Sequence, residues 1–110
     1  MSINKSDNEL HHSFVMSLEE DDVTQIYKNY DPSKNKSSKI MTKYEKTLII
    51  GQRAEQIANG AEPLIEIPDG VYDVREIARE ELKKKASPFI IKRKYGKGHE
   101  YYKLEDLEIR

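Results

Sequence analysis

The sequence predicts a small α+β domain of two main helices, a short strand and a C-terminal β-hairpin, preceded by a mobile acidic N-terminal arm. Three observations carry this reading. A composition break falls just before Thr42, and two helix-start signatures, Thr42 with Glu45 and Asp73 with Glu76, open amphipathic runs. Near the end, two stretches rich in aromatic and β-branched residues flank Gly96-Lys97-Gly98.

Residues 1–40 form the predicted arm and linker. They mix Ser, Asn, Asp, Glu and Lys around a few apolar positions, with the acidic run Glu19-Glu20-Asp21-Asp22 and the breaker stretch Asp31-Pro32-Ser33-Lys34-Asn35-Lys36-Ser37-Ser38. Leu10, Phe14 and Leu18, then Val23, Ile26, Tyr27 and Tyr30, recur at near-helical spacing. Short helices that form on a partner are one reading, and transient structure without function is the other.

Residues 41–110 form the predicted domain. A threonine hydroxyl and a glutamate carboxylate three residues apart reciprocally cap the free amides of a helix start, so a helix runs from about Lys43 to Gly60. Thr47, Ile50, Ala54, Ile57 and Ala61 make its core-facing stripe, widened by Leu48, Gly51 and Ala58. Glu45, Ile49, Gln52, Arg53 and Gln56 fall on another side, and Gly60 is placed to stop the helix. Leu64-Ile65-Glu66-Ile67 reads as a short strand ended by Pro68-Asp69-Gly70. A second helix opens at Asp73, with Val74, Ile77, Ala78 and Leu82 as its apolar side, and ends at Ser87-Pro88. Phe89 to Tyr95 and Glu100 to Leu104 form the hairpin.

Composition narrows the function. Apolar residues make up 36% and charged residues 35%, with a net charge of −1, which is more polar than an average globular chain yet short of full disorder. A chain of 110 residues with so few apolar positions builds a small core, so part of its stability is expected from a partner. Without cysteine there are no disulfides, thiolate metal sites or cysteine nucleophile. Neither a run of about 20 apolar residues nor a basic region followed by an apolar stretch occurs, and the expectation is a soluble intracellular protein with no membrane partner.

No nucleophile-base-orienter set or phosphate-binding loop is present, so catalytic residues and cofactors are both expected to be none, with no small-molecule substrate. His11-His12 lack a third ligand at a recognisable spacing, and no metal site is expected. Lys83-Lys84-Lys85 and Lys92-Arg93-Lys94, with Tyr95 and Lys97, suit a phosphate-contacting patch, but neighbouring acids balance them. Ser17 precedes an acidic run that suits acidophilic kinases, which makes it a candidate phosphorylation site. Arg53 and Gln56, one turn apart, fit either a solvated helix face or a surface that bonds partner carboxylates.

The run Met41-Thr42-Lys43-Tyr44-Glu45, followed by Gly51-Gln52-Arg53-Ala54-Glu55-Gln56-Ile57-Ala58-Asn59-Gly60-Ala61 and Pro63, resembles the signature of the RNA polymerase omega, archaeal K and eukaryotic common-subunit family. Ile77-Ala78, Glu81-Leu82 and Pro88-Phe89-Ile90-Ile91-Lys92-Arg93 continue the resemblance, which covers about residues 41 to 107. Val74 stands where many relatives have proline, Tyr102 where eukaryotic relatives usually have tryptophan, and the hairpin loop is short, a pattern that includes a viral homologue among the options.

The resemblance implies an omega-like fold and a non-catalytic subunit of DNA-directed RNA polymerase. Such a subunit clamps the largest subunit and promotes assembly with the remaining polymerase subunits. It meets DNA and RNA only through the complex, in the nucleus of a eukaryotic cell or, if virally encoded, in the virion or a cytoplasmic viral factory. The partner-binding residues it implies are Thr42, Lys43, Tyr44, Glu45, Ile49, Gly51, Arg53, Ala54, Gln56, Ile57 and Pro63. A free-standing nucleic-acid-binding module is the alternative, and a general adaptor working through the arm is a third class.

Overall fold

In the computed structural model, which describes residues 13–18 and 26–110, helix α1 spans Lys43–Ala58. The Thr42 hydroxyl accepts from the Glu45 amide at 3.0 Å, and the Glu45 carboxylate accepts from the Thr42 amide at 3.0 Å, so the reciprocal cap is formed. At the other end Gly60 takes φ 107°, while the Gly60 amide bonds the Ile57 carbonyl and the Ala61 amide that of Gln56. This left-handed stop is open to glycine at no steric cost.

Helix α2 spans Val74–Lys83, with the Asp73 carboxylate capping the Arg75 amide at 2.7 Å. Its end has the same double bond pattern, Lys85 amide to Leu82 carbonyl and Ala86 amide to Glu81 carbonyl, but here Lys85 holds the left-handed position at φ 55°. The helix therefore stops ahead of Ser87-Pro88.

The sheet has three antiparallel strands in the order β1, Ser13–Ser17; β2, Phe89–Tyr95; β3, Gly98–Lys103. Tyr95 pairs with Gly98, leaving Gly96 and Lys97 as a two-residue turn with φ 59° at Gly96, as the strand twist favours. Met41, Ile49, Ile50, Ala54, Ala78, Leu82, Phe89, Ile91, Tyr102, Leu104 and Leu107 form one buried cluster, so both helices pack on one face of the sheet. The chain end returns beside the start of α1, where Glu108 donates to the Lys39 carbonyl at 2.7 Å and Met41 to the Glu108 carbonyl at 2.8 Å.

Two sequence expectations change. Leu64-Ile65-Glu66-Ile67 is not a strand: Leu64 and Ile67 are exposed, and the Leu64 amide bonds the Glu81 carboxylate at 2.8 Å instead of a sheet neighbour. The strand beside the hairpin is instead Ser13–Ser17, five residues from the stretch read as arm, each paired with β2 from Ser13↔Arg93 to Ser17↔Phe89. The linker stretch also lies on the domain: Asn35 bonds the Tyr101 carbonyl at 2.8 Å, and the Lys36 and Ser37 amides bond the Glu100 carboxylate at 2.7 and 3.0 Å. Backbone polar groups of these breaker residues are met by the hairpin. His11-His12, Leu10, Val23 and the run Glu19-Glu20-Asp21-Asp22 lie outside the described residues.

Candidate functional site

Helix α1 carries most of the residues expected to bind a partner, and its two sides do different work. The inner row, Glu45, Ile49 and Arg53 at intervals of four, is buried together with Ile50 and Ala54. Arg53 is 3% exposed and meets Glu81 of α2 at two points, Nε to Oε1 at 2.5 Å and Nη2 to Oε2 at 3.1 Å. It also donates to the Gln56 side chain at 3.0 Å and the Glu62 carbonyl at 2.9 Å. Glu45, fully buried, accepts from Arg93 of β2 at 2.7 and 2.8 Å and from the Ser13 hydroxyl of β1 at 2.8 Å. Arg93 reaches further, to the Ile40 carbonyl at 3.0 Å, to the Ser38 carbonyl, and over the Tyr102 ring at 5.0 Å.

These contacts correct the expected division of the helix. Glu45, Ile49 and Arg53, expected on a side turned to a partner, face the interior of this chain. Thr47, expected in the core stripe, is exposed. Burial of the two charges is tolerated because each has a two-point partner of opposite sign and further hydrogen bonds. The glutamate and arginine that complete the pairs, Glu81 and Arg93, were not among the expected site residues. A period-two reading of β2 places Arg93 on the same inward face as Phe89 and Ile91.

The outer side of α1 remains as surface. Lys43 and Thr47 are exposed, while Tyr44, Leu48, Gly51 and Ile57 are half-buried, as are Thr42, Gln56 and Pro63 beside them. A Cβ added at Gly51 meets nothing within 4 Å. The chain's own packing therefore does not require glycine there, although a helix interior disfavours it.

Charge on the site follows from these partners. Burial pushes the Glu45 carboxyl up, but the Arg93 guanidinium, the Thr42 amide and the Ser13 hydroxyl outweigh it and hold the pKa below the usual range. Glu100 is likewise depressed, since the bonds from Ser37 and Lys36 exceed the effect of burial. Among the described residues no cluster of three metal-ligating side chains occurs, and no helix is long and apolar enough to cross a membrane.

The remaining candidates separate. Lys83, Lys84 and Lys85 are exposed, with Lys83 paired to Glu80 at 3.0 Å and Lys85 bonded to the Leu107 carbonyl at 2.9 Å. Strand alternation splits Lys92-Arg93-Lys94, turning Arg93 inward and leaving Lys92 and Lys94 on the opposite face. Ser17 is half-buried in β1, opposite Phe89, and lines a cleft with Arg53, Gln56 and Leu64. A kinase that takes an extended peptide reaches it only when β1 leaves the sheet.

The model of the family described as RNA polymerase Rpb6 matches residues 36–89. A Caenorhabditis briggsae protein named "Probable DNA-directed RNA polymerases I, II, and III subunit RPABC2" is 41% identical over 78 residues, covering 70% of this chain and 56% of the relative. The DNA-directed RNA polymerase subunit Rpo6 of Methanothermobacter thermautotrophicus is 46% identical over 57 residues, 52% of this chain and 92% of that protein. DNA-directed RNA polymerase subunit 6 of Acanthamoeba polyphaga mimivirus is 34% identical over 82 residues, 74% of this chain and 20% of the viral protein. The chain thus spans little more than half the length of its nematode relative and nearly all of the archaeal one. The matched residues include the Thr42–Glu45 cap, all of α1 and the Arg53–Glu81 pair, and the chain belongs to the RNA polymerase Rpb6 family.

Proposed function

We propose that this protein is a non-catalytic subunit of a DNA-directed RNA polymerase, docking on the largest subunit and promoting assembly and stability of the complex. The observation that carries the docking surface is the outer side of α1. There Tyr44, Leu48, Gly51 and Ile57 lie half-covered around a glycine whose missing side chain leaves open space. A partner backbone that approaches this helix closely accounts for a glycine that the chain's own packing does not need. The inner row contributes indirectly: the Arg53–Glu81 and Glu45–Arg93 pairs fix α1 against α2 and the sheet, so the outer side is presented rigid.

The names of the relatives support the polymerase reading. Binding a folded partner stabilises a chain with a small core by mass action. The working place is the nucleus for a cellular eukaryotic polymerase and the virion or cytoplasmic factory for a viral one. Phosphorylation of Ser17, once β1 is released, adds negative charge to an already acidic segment and is proposed to tune a contact of that segment rather than assembly.

The test is affinity purification of the tagged full-length chain from its native source at high salt, with the retained proteins identified. Retention of the largest polymerase subunit by the parent chain, lost with Leu48→Glu while the fold is kept, is the expected result. Retention undiminished in Leu48→Glu sinks the assignment of this surface, and absence of polymerase subunits with the parent chain sinks the function.

A further inference from the structure

We propose that the sheet face opposite the helices binds single-stranded nucleic acid, through base stacking on Phe14 and Tyr101 and phosphate contact with Lys92 and Lys94. The strand register brings these residues together. Phe14 pairs with Lys92, and Lys92 with Tyr101, so the three side chains form one row across β1, β2 and β3 on a single face. Lys94 and His99 pair in the next row toward the hairpin tip, where Lys97 is exposed.

Among the described residues this half of the face is the more open one: Phe14 and Lys94 are exposed, and Lys92 and Tyr101 are half-buried. Further along the strands Ile90 is fully buried, and Lys103 lies under the rings of Tyr27 and Tyr30 at 4.6 and 4.9 Å. Phe14, by comparison, is 52% exposed on a strand. A large ring held out on a sheet beside a second aromatic two strands away, about 10 Å, is a stacking platform for successive bases.

The charge suits a polyanion. Lys92, Lys94 and Lys97 take part in none of the ion pairs among the described residues. Of the carboxylates beside the row among the described residues, Glu100 points to the other face and is engaged by the Lys36 and Ser37 amides, while Asp31, which lines a cleft with His99 and Tyr101, is met by the Ser33 amide and Lys34. The balanced charge of the whole chain therefore conceals a locally positive face, a condition that phosphate binding requires. An aromatic row with lysines between and beside it fits a single strand, whose bases are free to stack, better than a duplex, whose bases are not.

The full-length chain is mixed with fluorescein-labelled single strands of roughly 12 nucleotides, oligo-U and oligo-dT, and with a duplex of the same length, and anisotropy is followed across salt. Saturable binding of the single strands is expected, weakened about tenfold by Phe14→Ala or Tyr101→Ala and retained in Tyr101→Phe. Lys92→Gln with Lys94→Gln should flatten the salt dependence by about two charges. Equal affinity for the two strands assigns recognition to stacking and phosphate, and tighter oligo-U binding adds the 2′-hydroxyl; both support the proposal. Circular dichroism confirms that each variant is folded. The proposal is overturned if the folded aromatic variants bind like the parent, if the duplex competes equally, or if no single strand binds at low salt. Because no other subunit is present, the result is independent of whether α1 docks on a polymerase.

Discussion

Arg53 and Glu81, 28 residues apart, close on each other across the packing of α1 and α2, with side chains 4% and 0% exposed. An ion pair so fully withdrawn from water is far more costly to break than to replace.

Arg53→Ala should therefore cost the free chain about 3–5 kcal/mol, because Glu81 is left as a buried unpaired charge. Arg53→Glu should be worse still, with two carboxylates at one site. The double change Arg53→Met with Glu81→Leu should recover most of the loss. Urea unfolding of the full chain measures all three, and an Arg53→Ala chain as stable as the parent would contradict the pairing.

The Glu45–Arg93 pair sets a pH dependence. The folded carboxyl titrates below its unfolded value, so its contribution is fully present above the unfolded pKa of about 4.3 and is lost as pH falls through the folded pKa. We expect stability to be level near neutrality and to decline on the acid side of that value. Glu45→Gln should be less stable at neutral pH and have a shallower acid limb. Unfolding free energies measured from pH 3 to 7 give the comparison, and parallel acid limbs would exclude Glu45 as a contributor.

On the proposed docking surface, Gly51 is the position expected to separate folding from assembly. Alanine in a helix interior is favoured over glycine by about 1 kcal/mol, and its Cβ meets no atom of this chain within 4 Å. Gly51→Ala should raise the melting temperature of the isolated protein, whereas Gly51→Leu should fold yet fail to co-purify with polymerase subunits. If Gly51→Leu assembles as the parent does, close approach at that position is refuted.

Tyr30 fastens the segment before α1. Its hydroxyl donates to the Asp106 carboxylate at 2.6 Å and accepts from the Lys103 amide at 2.9 Å, and its pKa is pushed up by burial and then by Asp106. Tyr30→Phe should cost about 1–2 kcal/mol and speed amide exchange at Lys103. Unchanged exchange there would show that the segment is not held through this hydroxyl.

Local chemistry explains what the sequence made legible. Thr42 with Glu45, Gly60, Asp73 and Gly96 act on neighbours within a few residues, and each formed the cap, stop or turn expected of it. Long-range choices were hidden. Ser13–Ser17 is a strand only because β2, over 70 residues away, offers an edge, and nothing local in Ser-Phe-Val-Met-Ser outweighs a polar surrounding. Leu64–Ile67 has the stronger strand composition but pairs with no strand among the described residues. The inner side of α1 was misjudged because Glu45 and Arg53 look solvated until Arg93 and Glu81 are brought to them. Gly51, read as widening the core-facing stripe, is half-buried with open space where a Cβ would stand, so the chain's own core does not account for it.

The reach of Arg93 has a kinetic consequence. Its guanidinium joins Ser38, Ile40 and Glu45, partners 48 to 55 residues earlier, so none of these bonds exists until the hairpin has met the start of α1. Such distant closures are slow to nucleate and reward the chain only late in folding. Variants at Arg93 should therefore accelerate unfolding far more than they retard refolding, which makes this one side chain a latch on the lifetime of the folded state.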